Sequence, residues 1–436
     1  MFINKNSRVE SFISFIYIAI LLTLFINKVS LNDESEVSVR SIYVTTLVFI
    51  LFKGFFSLGL FFRLKFKFYD LLLICFFTYL LLVSIIYNER TDWVLTSFAY
   101  LLVGASSRAA VINLLYSKWW KEYSTFILCF ILILVLLCAF DILSNVRSDI
   151  FLVERGLDYQ EPGNYASLFA LLVTFFYTGV FSRFKDGVCK IQAFFTFLWL
   201  TLILVILSAS LQALGSNSAF VVLIASTITV YFSYHLSCSK FSVINSSKMN
   251  FNFPILSKSF LVTFFCFTAV GILGVLVFVL ILYLFLDFNV LSLRIFSFGS
   301  GEISSLDARF ELMGNFFQHW SLNPFFGMIA ADSVTTGSGT YTHSFLLSML
   351  SHGGLISFII FCFWFFCNLF FSLHKNLMNL SFVNSMPNLI YFTLIVILAT
   401  FTVFFIRWSP VWFLFGLQFG FLIFRPNKLH AIKGKH

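Results

Sequence analysis

YTHSFLLSMLSHGGLISFIIFCFWFFCNLFF, Tyr341 to Phe371, sets a histidine and hydroxyl side chains ahead of a long apolar run interrupted by His352 and a Gly353-Gly354 pair. A helix needs about 20 predominantly apolar residues to cross the hydrocarbon core of a bilayer. The stretch meets that length and reads as a membrane helix with a polar mouth. The rest of the chain agrees with it. Of the 436 residues, 60% are hydrophobic and 11% charged, and mean hydropathy is +0.95. An ordinary soluble domain carries about 25% charged residues. The 64 phenylalanines serve mainly as bulky lipid-facing and core filler.

Apolar runs near spanning length occur at 11–26, 42–62, 69–87, 93–107, 124–143, 164–182, 193–209, 218–236, 260–286, 343–371, 389–406 and 411–424. Gly104, Ser106 and Ser107 dilute the fourth, and the last is short. The expected fold is an all-α polytopic membrane protein of about twelve transmembrane helices, one integral membrane domain over 1–436 with no soluble domain appended. The first run lacks a small-residue cleavage site behind it, which predicts a retained helix.

Basic residues set the expected orientation. With a cytoplasmic N-terminus, 19 of the 28 Lys and Arg fall in inside segments, 8 fall outside, and Lys53 lies within the second run. That bias satisfies the positive-inside rule and places both termini in the cytoplasm. The net charge of +9 is then a topology signal, with no nucleic-acid partner implied. Six cysteines lie in predicted helices, and Cys189 and Cys238 lie in inside loops. With none on the outer face, no disulfide framework is expected, and no CxxC pair suggests a metal.

Two outside segments have the length and polarity for chemistry. The first is the loop 144–163, SNVRSDIFLVERGLDYQEPG, and the second is the far longer loop 287–342. Loops beyond about 12–15 residues are usually functional or disordered, and this one is aromatic and patterned. In SSLDARFELMGNFFQHWSLNP, Ser304 can cap a helix whose apolar stripe runs through Leu306, Phe310, Met313, Phe317 and Trp320 to a stop at Asn323-Pro324. The pattern predicts a short helix along the outer membrane–water boundary, with Arg309 at headgroup depth. Thr342 is placed to cap the next helix, so His343 is expected at the same boundary.

These residues resemble the O-antigen polymerase family, within the O-antigen polymerase and ligase superfamily. The likeness lies in the order Arg309, short helix, Asn323-Pro324-Phe325-Phe326-Gly327, a Gly/Ser/Thr-rich link, His343-Ser344-Phe345-Leu346 and Gly353-Gly354. The earlier loop adds Arg155-Gly156-Leu157-Asp158-Tyr159-Gln160-Glu161-Pro162-Gly163-Asn164, similar to a segment that opens a helix in many such polymerases. One departure is the Leu214-Gly215-Ser216-Asn217-Ser218 stretch, where many relatives carry a Ser-Arg pair. The resemblance implies a membrane glycosyltransferase of GT-C-like architecture in a bacterial inner membrane, with its site in the periplasmic loops.

Its donor would be an undecaprenyl-pyrophosphate-linked oligosaccharide. A flippase and a chain-length regulator would be its neighbours, and membrane lipids its surroundings. Arginine's planar fork suits pyrophosphate oxygens, which fits Arg309 with Arg155 and Arg294. Tyr341 joins them as a glycan contact. The acceptor hydroxyl needs a base, for which His343 and Glu161 are the candidates. No cofactor or metal is expected.

Each residue also has a plain structural reading. Arg155 can pair with Glu154 or Asp158, Glu161 can be a turn residue, Arg309 can snorkel to lipid phosphates, and His343 can be a polar helix start. His352 reads as structural, and Arg294 and His319 carry less signal. Convergence on one face favours function. The rival readings are an O-antigen ligase, which shares donor and face, and a lipid-linked-oligosaccharide flippase or transporter. The last would need ionisable residues at mid-membrane depth, where only Lys53 and Asp141 qualify.

Overall fold

The computed structural model describes residues 3–30, 36–56, 68–87, 89–115, 314–335, 342, 344–378, 406 and 409–419, with isolated helical positions between 130 and 172. Among the described residues all regular structure is helical: α1 (Ile3–Ser30), α2 (Glu36–Phe56), α3 (Phe68–Ile86), α4 (Thr91–Leu115), α5 (Phe316–Leu322), α6 (Ala331–Thr335), α7 (Phe345–Met378) and α8 (Ser409–Phe419). By length and composition Val9–Ile26, Thr91–Val111 and, counted through its break at Gly354, Phe345–Cys367 are long and apolar enough to cross a membrane, and Arg40–Phe52 and Leu71–Ile86 are shorter apolar helices. The described chain is that of an α-helical membrane protein.

The chain divides into two units. One comprises Met1–Phe126, Ile303–Phe371 and Leu394–His436, and the other Ile127–Glu302 and Ser372–Thr393. In the second, Ile133, Leu136 and Leu137 are exposed helical residues, and Leu168, Phe169, Leu171 and Leu172 are buried ones. They fall in the predicted spans 124–143 and 164–182. Predicted spans one to four, ten and twelve lie in the first unit. The others lie outside the described residues, apart from isolated positions.

Helix α4 is the hub of the first unit, packing on α1, α2, α3 and α8. A Cβ on Gly104 would overlap the Phe413 carbonyl, and one on Gly416 would overlap the Leu101 carbonyl. Facing glycines let two backbones approach, and close packing drives helix association where lipid is as apolar as the side chains. The small residues that dilute the fourth apolar run are therefore its packing seam. The helix also continues past 107, burying Ala109, Ala110 and Val111. Arg108, expected in an inside loop, instead lies within α4 and donates from Nη1 to the Leu417 carbonyl at 3.0 Å. That carbonyl belongs to the last turn of α8, where a cation complements the helix dipole. Pro410 sits in the first turn of α8, where its missing N–H is harmless.

An aromatic core joins α3, α7 and α8. Trp412 packs its ring 5.8 Å from Phe76, 5.0 Å from Phe77, 6.3 Å from Phe345 and 6.4 Å from Phe361. Phe345 and Phe361 also meet each other at 5.7 Å, although they are sixteen residues apart in α7. A straight helix would separate them by about 24 Å along its axis. The explanation is Gly354, whose φ of 73° and ψ of 173° break the helix. The segment before Gly354 folds back beside the segment after it. The tenth run is thus two helices meeting at an acute turn, whereas its apolar pattern predicts a single span.

Candidate functional site

A broken helix leaves backbone groups without partners: the first N–H groups of its second segment point at nothing within that segment. Here they are met by the loop that follows α5. Leu355 N donates to the Pro324 carbonyl at 3.0 Å, and Ile356 N donates to the Phe325 carbonyl at 3.2 Å. The approach is so close that a Cβ on Gly354 would overlap the Phe325 carbonyl and Gly327 N, and a Cβ on Gly327 would overlap the Gly353–Gly354 peptide. Both glycines have positive φ, 79° at Gly327 and 73° at Gly354, which other residues adopt only with strain.

Further polar groups of the loop are engaged as well. Gly327 N donates to the Asn323 carbonyl at 2.8 Å, and Phe326 N donates to Asn323 Oδ1 at 3.3 Å. The Pro324 carbonyl also accepts from Trp320 Nε1 at 3.2 Å, and the Phe326 carbonyl accepts from Tyr79 OH at 2.8 Å. Asn323 Nδ2 reaches Tyr87 OH. Ala331 N donates to the Met328 carbonyl at 3.1 Å. Ala330 N donates to the Glu89 carboxylate at 3.1 Å. Irregular backbone survives at membrane depth only when its polar groups are satisfied by protein or by a water-filled cavity, and the bonded groups of this loop meet that requirement.

Two histidines close the cluster. His319 on α5 and His352 on α7 are both fully buried, with ring centroids 5.4 Å apart at a steep angle. His352 Nδ1 lies 3.1 Å from the Ile329 carbonyl. A carbonyl only accepts, so this contact puts a proton on Nδ1. Ile329 and Ala330 are therefore gripped from opposite partners, His352 at a carbonyl and Glu89 at an N–H. The two imidazoles and the Glu89 carboxylate are thus gathered around one short stretch of the loop.

No protein-family model, curated protein or solved structure matches this chain. The residues singled out by sequence, His343, Glu161, Arg309, Arg155, Arg294 and Tyr341, lie outside the described residues. The predicted helix start at 304–313 lies there too. What the structure does bring together are the two described parts of the sequence pattern, Asn323 to Gly327 and Gly353-Gly354.

In the described part of the expected boundary helix the apolar stripe faces outward: Phe317 is 69% exposed and Trp320 half-buried, while His319 is the buried residue of α5. Trp320 is held by stacking on Phe316 at 5.9 Å and by its bond to Pro324. The entrance to α7 is packed into the protein. Thr342 and Phe345 are fully buried, and Phe345 is packed with Phe361 and Trp412. The fold-back at Gly354 causes this, because it carries the first segment of α7 alongside the second.

Sequence reasoning missed Tyr79, Tyr87 and Glu89, and gave Asn323 a helix stop and a place in the resemblance but no bonding role. The available signal was Tyr79 and Tyr87 on one apolar run, two hydroxyls about 12 Å apart along a helix that otherwise has little use for them. Their partner loop is more than two hundred residues away in the chain.

Proposed function

We propose that this chain is an O-antigen polymerase. It transfers a growing glycan from undecaprenyl pyrophosphate to the non-reducing-end sugar of an incoming lipid-linked repeat unit, at the periplasmic face of a bacterial inner membrane. About twelve helices form the GT-C-like bundle, with both termini cytoplasmic. The supporting observation is the interlock of Gly327 with Gly354. The resemblance sets the Asn323–Gly327 turn and the glycine pair on either side of the His343 segment, and these two elements are mutually docked. A rigid frame around a reacting segment is what positioning of a donor and an acceptor requires.

In this reading the acceptor hydroxyl gives its proton to His343 or Glu161 as its oxygen bonds to the anomeric carbon. The bond from that carbon to the pyrophosphate breaks, and Arg309, with Arg155 and Arg294, takes up the charge of the departing lipid pyrophosphate. Tyr341 contacts the glycan. A flippase supplies the repeat units, and a chain-length regulator acts on the same polymer.

Deletion of the gene tests the reading. A polymerase deletion leaves surface lipopolysaccharide capped with a single repeat unit, since the ligase still transfers what the flippase delivers. Loss of all repeat units, with polymer accumulating on the lipid carrier, identifies a ligase instead.

A further inference from the structure

The segment from α5 to Gly327 is inside-out by the standards of a protein in water. Its exposed side chains include Phe317, Leu322, Phe325 and Phe326, at 69%, 43%, 61% and 52%, while His319 is fully buried and Asn323 is turned to Tyr87. We infer that residues 316–327 form a membrane-inserted element whose outer face is covered by lipid acyl chains. The inference goes beyond the glycosyltransferase reading and does not depend on it.

Three observations fix the occupant as hydrocarbon. The first is the backbone accounting above, since a loop in water has no need to satisfy its carbonyls internally, whereas one in hydrocarbon does. The second is continuity. Phe326 is bonded to Tyr79 of α3, and Tyr79, Leu82 and Ile86 share one face of that helix by their spacing of three and four. Leu82 and Ile86 are exposed apolar residues of an apolar helix, so the loop extends a surface that already faces lipid. The third is depth. Phe326 is tied to Tyr79 and Asn323 to Tyr87, which is nearer the end of α3, so Phe326 lies on the inner side of Asn323.

The exposed polar residues of α5, Gln318 and Ser321, set the upper limit of the insertion. Ser321 Oγ donates to the Gln318 carbonyl at 2.9 Å, which hides its hydroxyl. The Gln318 amide marks the headgroup layer. The element is thus tilted in depth, with Gln318 shallow and Phe325 and Phe326 deep.

The test uses the full chain with its 8 cysteines replaced, reconstituted in vesicles of phosphatidylethanolamine and phosphatidylglycerol. A nitroxide is attached at Phe317→Cys, Gln318→Cys, Phe325→Cys or Phe326→Cys. Leu82→Cys is the lipid reference, and Asp92→Cys, at an exposed position, is the water reference. Collision with oxygen and with a water-soluble nickel chelate is read by power saturation. Labels at 325 and 326 should collide freely with oxygen and roughly ten-fold less with nickel than the label at 92, because the hydrocarbon core excludes water and its solutes. The label at 318 should fall between the two references. Nickel collision at 325 and 326 equal to that at 92 overturns the inference, and so does shielding from both reagents, which would mark a second copy or another protein as the cover. Should one of these two variants fail to fold, the other decides alone.

Discussion

Gly327 and Gly354, twenty-seven residues apart in the chain, lie backbone against backbone with both φ angles in the left-handed region. Neither site has room for a Cβ, and the atoms in the way are backbone, which cannot swing aside. Everything else in the cluster depends on this contact: the bonds from Leu355 and Ile356 to the loop, the turn at the top of α7, and the seat of His352 against Ile329.

Gly327→Ala and Gly354→Ala should each be strongly destabilising. The left-handed backbone alone costs an L-residue about 1–2 kcal/mol, and the overlap adds to it. The double variant should lose little more than the worse single one, because once the docking is broken the second methyl group meets open space. Thermal unfolding of the purified protein in detergent measures both effects, and additive losses would disprove the coupling.

Tyr79→Phe removes one hydrogen bond, to the Phe326 carbonyl. A loss of about 1 kcal/mol is expected, the usual net worth of such a bond. Asn323→Ala removes both the Tyr87 contact and the acceptor for Phe326 N, so it should cost more. Asn323→Asp keeps the acceptor and should fall between. The order of unfolding temperatures checks the scheme.

The α4–α8 crossing makes a prediction of opposite sign to the ordinary rule. Glycine to alanine inside a helix normally stabilises it by about 1 kcal/mol. At Gly104 and Gly416 it should destabilise instead, because each new methyl group overlaps a carbonyl of the facing helix. Gly314, with nothing within 4 Å of its Cβ position, is the control and should tolerate the change. Stability of the three variants, measured side by side in detergent, decides the matter.

If the glycosyltransferase reading holds, Arg309→Ala and His343→Ala abolish chain growth while the amount of protein in the membrane is unchanged. Arg309→Lys restores only part of the activity, since a point charge replaces a bidentate fork. An arginine that merely snorkels contributes at most about 1 kcal/mol through surface pairing, and its loss would be tolerated. Polymer length distributions on gels distinguish the two, and normal lengths in both alanine variants would move attention to Arg155 and Glu161.

By itself the sequence determined that this is an α-helical membrane protein, because hydropathy and run length are properties of consecutive residues. It also located α3 to within a residue at each end and marked Asn323-Pro324 as a helix stop, for local reasons of the same kind. What only the tertiary structure decided depends on partners distant in the chain. Gly104 weakens an apolar run until Gly416 is seen opposite it. The apolar stripe through Phe317 is legible, but that His319 is the buried residue of α5 is not, since an amphipathic pattern does not say which medium lies outside. The Gly353-Gly354 pair is legible as an interruption of the apolar run, but its fold-back requires Gly327 to supply the space and Pro324 and Phe325 to supply the carbonyls. Helix breaks cost hydrogen bonds, and whether those bonds are replaced is a fact about three dimensions.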